Sequence, residues 1–242
     1  MKKNFLYKSI KNEWQKFHSK RNNKKKIKLH EPTFGAEEIF NFTKQLITTN
    51  VTMGKQVESF EKKICDKFGF RYAVSSNSGS SANLLMISAL MSNLYPKRLK
   101  KNDEIIVPAL AWSTSIFPLT QYGLKPVFVD CDIKTMNIDI DQVKKAISKK
   151  TKGILTIPIY GNPCEMKELT KICKKKELIL LEDTCESMGA KYNNKFLGAF
   201  GLASSFSFYF SHHITCLEGG VTVTNDYELA EIMKIIRSHG WI

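Results

Sequence analysis

The sequence predicts an α/β fold, a mostly parallel sheet with helices on both faces, and three observations carry that expectation. Apolar runs of strand length alternate with stretches of helical period along most of the 242 residues. The runs are continuous in apolar character, as strands covered on both faces require. Two of them stop at acids, Val129 before Asp130 and Leu181 before Glu182-Asp183, and in open α/β sheets ligands sit beyond the carboxyl ends of strands.

Taken in order, residues 1 to 28 show a weak helical pattern (Phe5, Leu6, Ile10, Trp14, Phe17) that ends in the polar run Ser19 to Lys26. Glu37 to Thr48 and Gly54 to Lys67 have apolar residues at helical period, and Gly69 closes the second as a C-terminal cap. A strand from Tyr72 to Ser75 leads into the turn Ser76 to Asn83, and Leu84 to Leu90 reads as a helix of small and apolar residues. Strand Glu104 to Val107 is followed by Ala109 to Thr114 entering a helix. Strand Pro126 to Val129, helix Ile140 to Ile147, strand Gly153 to Ile159 and helix Met166 to Lys175 repeat the unit. Strand Leu178 to Leu181 follows, and then a second apolar run, Phe206 to Phe210, that stops at Ser211-His212-His213. Strand Val221 to Thr224 and helix Tyr227 to Ile236 close the chain.

The net charge of +14 looks like a nucleic-acid signal until it is located: residues 1 to 28 hold eleven Lys or Arg against Glu13 alone, and the rest carries about +4. The basic segment lacks the apolar stretch of a secretory signal and reads as an extension of a domain spanning 29–242. No run approaches the roughly eighteen apolar residues that span a bilayer. The six cysteines (Cys65, Cys131, Cys164, Cys173, Cys185, Cys216) are far apart with no C-x-x-C pair, which argues against a zinc ribbon or a disulfide framework. A cytoplasmic protein with reduced thiols, no metal site, no nucleic acid and no membrane partner is expected.

The chemistry gathers at strand ends. The turn Ser78 to Ser81, between strand and helix, aims backbone N–H groups and hydroxyls at an anion, although an ordinary Ser-rich helix cap would look the same. Trp112 follows one strand and offers an aromatic face, or simply packs. Asp183 is a carboxylate at a buried strand end or a cap for the next segment, Ser207 a free hydroxyl or one bonded to backbone, and His212 a base or a satisfied interior histidine. Two strand ends are expected to bring Asp183 and His212 together. A flat, phosphorylated, nitrogen-containing ring would use phosphate turn, aromatic face, carboxylate and base at once, and pyridoxal phosphate is such a ligand.

The segments SNSGSSANLLMISAL, DEIIVPALAWST, GLKPVFVDCD, ILLEDTCESMGA and SFSFYFSHHITCLEGG resemble, in order and from about His30 to Trp241, the sugar-aminotransferase family of pyridoxal-phosphate enzymes, which has the aspartate-aminotransferase fold. The resemblance implies that Gly79, Ser80 and Ser207 hold the cofactor phosphate, Trp112 stacks on the pyridine ring, and Asp183 pairs with the ring nitrogen. Glu186 stands where a Gln commonly contacts the ring hydroxyl. The departure is at 212: after Phe206-Ser207-Phe208 and three further residues the family has a Lys that holds the cofactor covalently, and here it is His212. An imidazole cannot make that link but can move protons.

So altered, the chain is similar to the dehydratase branch of the family, which removes the C3 hydroxyl of a nucleotide-linked 4-keto-6-deoxy sugar. That branch uses pyridoxal or pyridoxamine 5′-phosphate with L-glutamate as amino donor, in deoxysugar and O-antigen synthesis. His212 is then the catalytic base. The run Cys185 to Ala190 resembles the branch without an iron–sulfur cluster. The family also implies a homodimer and a smaller C-terminal domain beyond Trp241, so the chain reads as a truncated form. Three other readings stand beside this one: an aminotransferase whose lysine is Lys191 or Lys195, a CDP-linked 3-dehydrase of the iron–sulfur branch, and a non-catalytic basic binding protein using residues 1 to 28.

Overall fold

A computed structural model describes residues 5–19, 27 and 33–241. Of the basic segment, 1–4, 20–26 and 28 lie outside the described residues. Its weak helical pattern is a helix, α1 (Phe5–Ser19), whose Tyr7 and Trp14 rings meet Phe40 and Phe34 at 5.5 and 5.6 Å. Phe40 belongs to α2 (Ala36–Ile47), and neither helix has a buried residue. The third helix, α3 (Lys55–Phe68), ends where Gly69 enters the left-handed region (φ 77°) and its N–H reaches Cys65 O.

The remaining chain builds a seven-stranded sheet. Its strands are β1 (Tyr72–Ser76), β2 (Glu104–Pro108), β3 (Lys125–Val129), β4 (Thr151–Thr156), β5 (Ile179–Asp183), β8 (Ala203–Ser207) and β9 (Gly220–Thr224), while β6 (Lys191–Tyr192) and β7 (Lys195–Phe196) form a separate hairpin. The order is β1-β9-β8-β5-β4-β2-β3, and every pairing is parallel except the two made by β9, which runs against the others. The carboxyl ends of β1, β5 and β8 and the start of β9 therefore meet at one edge of the sheet. Gly220 is the register partner of both Ser76 and Ser207.

Helices cover both faces: α4 (Gly79–Met91), α5 (Ser113–Gln121) and α8 (Tyr227–Arg237), with α6 (Ile140–Ala146) and α7 (Met166–Lys176). Successive strand residues feed opposite cores, which is why the strands read as unbroken apolar runs. Ile105, Val107, Leu155 and Leu181 join Leu85, Met86 and Leu90 of α4. Their neighbours Ile106, Ile154 and Leu180 join Val143 of α6 and Leu169 of α7. A third cluster sets Phe206, Val221 and Val223 against Ile64 of α3.

Four expectations shift. The α4 helix begins at Gly79, not Leu84, because Ser78 caps it: the Ser81 N–H donates to Ser78 Oγ at 3.1 Å. The fourth strand stops at Thr156, short of Pro158 and a 3-10 turn at Ile159–Gly161. The run Phe206 to Phe210 is strand only through Ser207, since the Phe208 N–H bonds to Gly219 O and the chain turns away. That strand starts earlier than its polar residues suggest, because Ser204 Oγ donates to Glu182 O at 2.9 Å. The β6–β7 hairpin, not anticipated, turns through Asn193 and Asn194, both at positive φ.

Candidate active site

At the carboxyl edge of the sheet lies a cavity of about 590 Å³, the size of a small-molecule site. All seven residues singled out in the sequence line it: Gly79, Ser80, Trp112, Asp183, Glu186, Ser207 and His212.

The turn after β1 folds over the start of β9. A β-carbon on Gly220 would collide with the backbone carbonyl of Ser78, so only glycine lets the turn come so close. Gly79 is equally confined, since a β-carbon there would lie 2.5 Å from Ser207 Cβ and 2.9 Å from Cys185 Sγ. What remains is a shallow cradle formed by the first turn of α4, whose N–H groups a helix cannot pair internally, and by two serine hydroxyls. Ser80 Oγ donates to Thr114 Oγ1 at 3.0 Å, and Ser207 Oγ accepts from the Tyr209 N–H at 3.3 Å.

Asp183 ends β5 and is 5% exposed. Its Oδ2 accepts from Asn83 Nδ2 (2.7 Å) and Ser115 Oγ (2.6 Å), and its Oδ1 accepts from the Cys185 N–H (3.1 Å). Among the described residues no Lys, Arg or His forms an ion pair with it. A buried carboxylate met only by neutral donors is ready to take a cationic or N–H partner from a ligand. The Cys185 thiol beside it is pushed well above the usual thiol range, first by burial and then by the Asp183 charge, so it stays protonated.

Trp112 is the N-terminal cap residue of α5 and is 75% exposed, a large ring surface at the cavity wall. His212 is not at a strand end as expected. It lies five residues past β8 in a turn where its N–H bonds to Tyr209 O at 3.0 Å, and it still reaches the cavity. Its Nδ1 is buried and takes no hydrogen-bond partner among the described residues. Glu186, in the loop after β5, is exposed.

Asn83 and Ser115 were missed by sequence reading, as were Tyr209 and Glu218 of the cavity wall. Asn83 follows Gly79 by one helical turn, so the helix that presents the glycine also presents the amide, a signal that a start at Leu84 conceals. Neither Lys191 nor Lys195 lines the cavity; their ammonium groups sit over Phe196 and Phe200 at 4.4 and 4.6 Å. Among the described residues no group of three His, Cys, Asp or Glu is placed to hold a metal ion, and no helix is long and apolar enough to cross a membrane.

The sequence profile of the DegT/DnrJ/EryC1/StrS aminotransferase family matches residues 32–242. The GDP-4-keto-6-deoxy-D-mannose 3-dehydratase of Yersinia pseudotuberculosis is 50% identical over 206 residues, 85% of this chain and 52% of the relative. Among solved structures, E. coli GDP-4-keto-6-deoxy-D-mannose-3-dehydratase with bound hydrated PLP superposes with a TM-score of 0.86 at 49% identity, covering 89% of this chain and 55% of that one. A GDP-4-keto-6-deoxymannose-3-dehydratase with a trapped PLP-glutamate geminal diamine gives 0.85 at 48% identity, with 89% and 56% covered. The chain spans about half the length of the curated relatives it matches.

Proposed function

The chain belongs to the DegT/DnrJ/EryC1/StrS aminotransferase family, and from that premise we propose that its cavity binds pyridoxal 5′-phosphate or pyridoxamine 5′-phosphate. We further propose that, within a protein of its relatives' full length, it removes the C3 hydroxyl of a nucleotide-linked 4-keto-6-deoxyhexose with L-glutamate as amino donor. The observation that carries this reading is that, among the described residues, a histidine and no lysine lines the cavity that Asp183 also lines. GDP as the nucleotide, a cytoplasmic location and a homodimer belong to the same proposal, the first following the named specificity of the relatives.

The residues present fit the cofactor. Gly79 leaves room that a β-carbon would fill, Asp183 is a buried acceptor without a cation, and His212 Nδ1 is an unpartnered buried nitrogen. When bound, the cofactor supplies an amine that condenses with a ketone and a ring that accepts electrons. The backbone N–H groups of Gly79 and Ser80, with the Ser80 and Ser207 hydroxyls, hold the phosphate at the start of α4. Trp112 would cover one face of the ring, Asp183 would accept the ring N–H, and Glu186 would meet the ring hydroxyl. His212, with an unpartnered Nδ1, would be the group that takes a proton from the amine-bearing carbon and gives one to the C3 hydroxyl as it leaves as water. Among the described residues no lysine lines the cavity, so none of them competes for the aldehyde.

The test uses a protein carrying this chain together with the rest of its relatives' length. Given glutamate and a GDP-linked 4-keto-6-deoxy sugar it should release ammonia, and His212→Asn should slow that release by about 100-fold or more while cofactor affinity holds. Normal turnover by His212→Asn overturns the assignment.

A further inference from the structure

The donors around Asp183 are arranged more specifically than burial of a carboxylate requires. Ser205 Oγ lies 3.4 Å from Asp183 Oδ1 but 2.6 Å from Asn83 Oδ1, and a hydroxyl has one proton to give. Given to Asn83, that proton fixes the amide. With its oxygen occupied by Ser205, the Asn83 Nδ2 group faces Asp183 Oδ2 at 2.7 Å. Ser115 Oγ fills the second position on Oδ2 at 2.6 Å, and Asn83 and Ser115 are 2% and 3% exposed, so the two donors themselves occupy the space beside Oδ2.

A carboxylate offers about four acceptor positions, two on each oxygen. Both on Oδ2 are taken. On Oδ1 the Cys185 N–H takes one at 3.1 Å; Ser205 Oγ, 3.4 Å away, has given its proton to Asn83, and the protonated Cys185 thiol is a weak donor to the carboxylate that a ring N–H would displace. We infer that Asn83 and Ser115 are positioning residues that saturate Oδ2 and so dedicate Oδ1 of Asp183 to the ring nitrogen of the cofactor, an inference that rests on the cofactor reading above.

The two donors come from different helices. Asn83 lies on α4, whose first residues are Gly79 and Ser80, and Ser115 lies in the first turn of α5, which Trp112 caps. Hence the two helices that present the phosphate cradle and the aromatic face also fix the carboxylate, and Ser80 Oγ joins them through Thr114 Oγ1 at 3.0 Å. Phosphate, ring face and ring nitrogen are thereby registered to one rigid frame.

The prediction concerns a proton, so it is read on the ring nitrogen itself. The chain is loaded with pyridoxal phosphate labelled with 15N in the ring, and the nitrogen shift, which separates pyridinium from pyridine, is followed against pH beside the 31P signal. Ser115→Ala removes one hydrogen bond to a charged group, which makes Asp183 a stronger base and should shift the midpoint of ring-nitrogen titration by about one pH unit, tenfold in proton affinity. Ser115→Thr keeps the hydroxyl and should restore it.

Asn83→Asp replaces a donor by a second carboxyl group, and two carboxyl groups so close share a proton, so the ring nitrogen should lose its anionic partner over a wider pH range than in Ser115→Ala. Midpoints equal to wild type in a folded Ser115→Ala, with the 31P signal of bound cofactor intact, overturn the inference. Should Asn83→Asp fail to fold, the Ser115 pair decides alone. A wild-type chain that leaves the 31P signal at its free position overturns the cofactor reading, and this inference with it.

Discussion

At residue 79 a single carbon atom is at stake. A β-carbon there meets Ser207 Cβ at 2.5 Å and Cys185 Sγ at 2.9 Å, so Gly79→Ala must push apart the helix start and the strand end that form the cradle. Overpacking of this kind costs about 1–3 kcal/mol, and thermal unfolding should show it together with weaker cofactor binding in an absorbance titration. Glu182, one residue before Asp183, has a different role. Fully buried, its carboxyl is pushed above the ordinary glutamate range by burial, against the opposing N–H groups of Gly198 (2.7 Å), Gly201 (2.6 Å) and Phe200 (2.8 Å). Because its value is raised on folding, its stabilising contribution is complete below the unfolded glutamate value and is lost as pH rises through the folded one. Denaturant titrations over pH should show that loss in wild type, and Glu182→Gln should remove the slope. That variant also faces an amide against a backbone N–H, at a cost of about 1–3 kcal/mol at every pH. The pairing Glu182-Asp183 was legible as a strand end, but not the division of labour. Which carboxylate meets the loop and which the cavity depends on strand alternation against β8, a register no local pattern reveals.

Among the elements, those with strong apolar period were legible within a few residues: α3 with its Gly69 cap, α7, α8 and the inner strands β2 and β5. The eighth strand was not, because Ser204 and Ser205 make it look polar. They are buried because Ser204 Oγ reaches Glu182 O and Ser205 Oγ reaches Asn83, partners 22 and 122 residues away. The reversed direction of β9 was also invisible, being fixed by the turn Tyr209 to Glu218 and the close approach of Gly220 to Ser78. The cap at Ser78 makes a testable element: Ser78→Ala should cost about 1 kcal/mol by loss of the bond from the Ser81 N–H, measured by thermal unfolding. Because α4 also presents Gly79 and Asn83 to the cavity, which Ser78 itself lines, the same substitution should weaken cofactor binding.

Over the whole molecule, the charge and the chemistry are separate. The basic segment of residues 1 to 28 supplies most of the +14, and its described helix meets α2 through ring contacts without burying a residue. Deleting residues 1 to 28 should leave cofactor affinity unchanged. The interior thiols report on the fold as a unit: burial pushes Cys164 and Cys173 up to about 12, so alkylation of both at pH 8 should wait on unfolding and accelerate together in denaturant. The central proposal, that an imidazole occupies the wall position corresponding to the lysine with which the family's aminotransferases hold their cofactor covalently, meets its most direct test in borohydride treatment of the cofactor-soaked chain followed by peptide mass spectrometry. At one equivalent of cofactor, wild type should carry no stoichiometric reduced adduct at any single residue, only scattered traces on exposed lysines, and His212→Lys should carry a stoichiometric one at residue 212. A stoichiometric adduct at one lysine of the wild-type chain, or none at residue 212 in a folded His212→Lys variant, would contradict it.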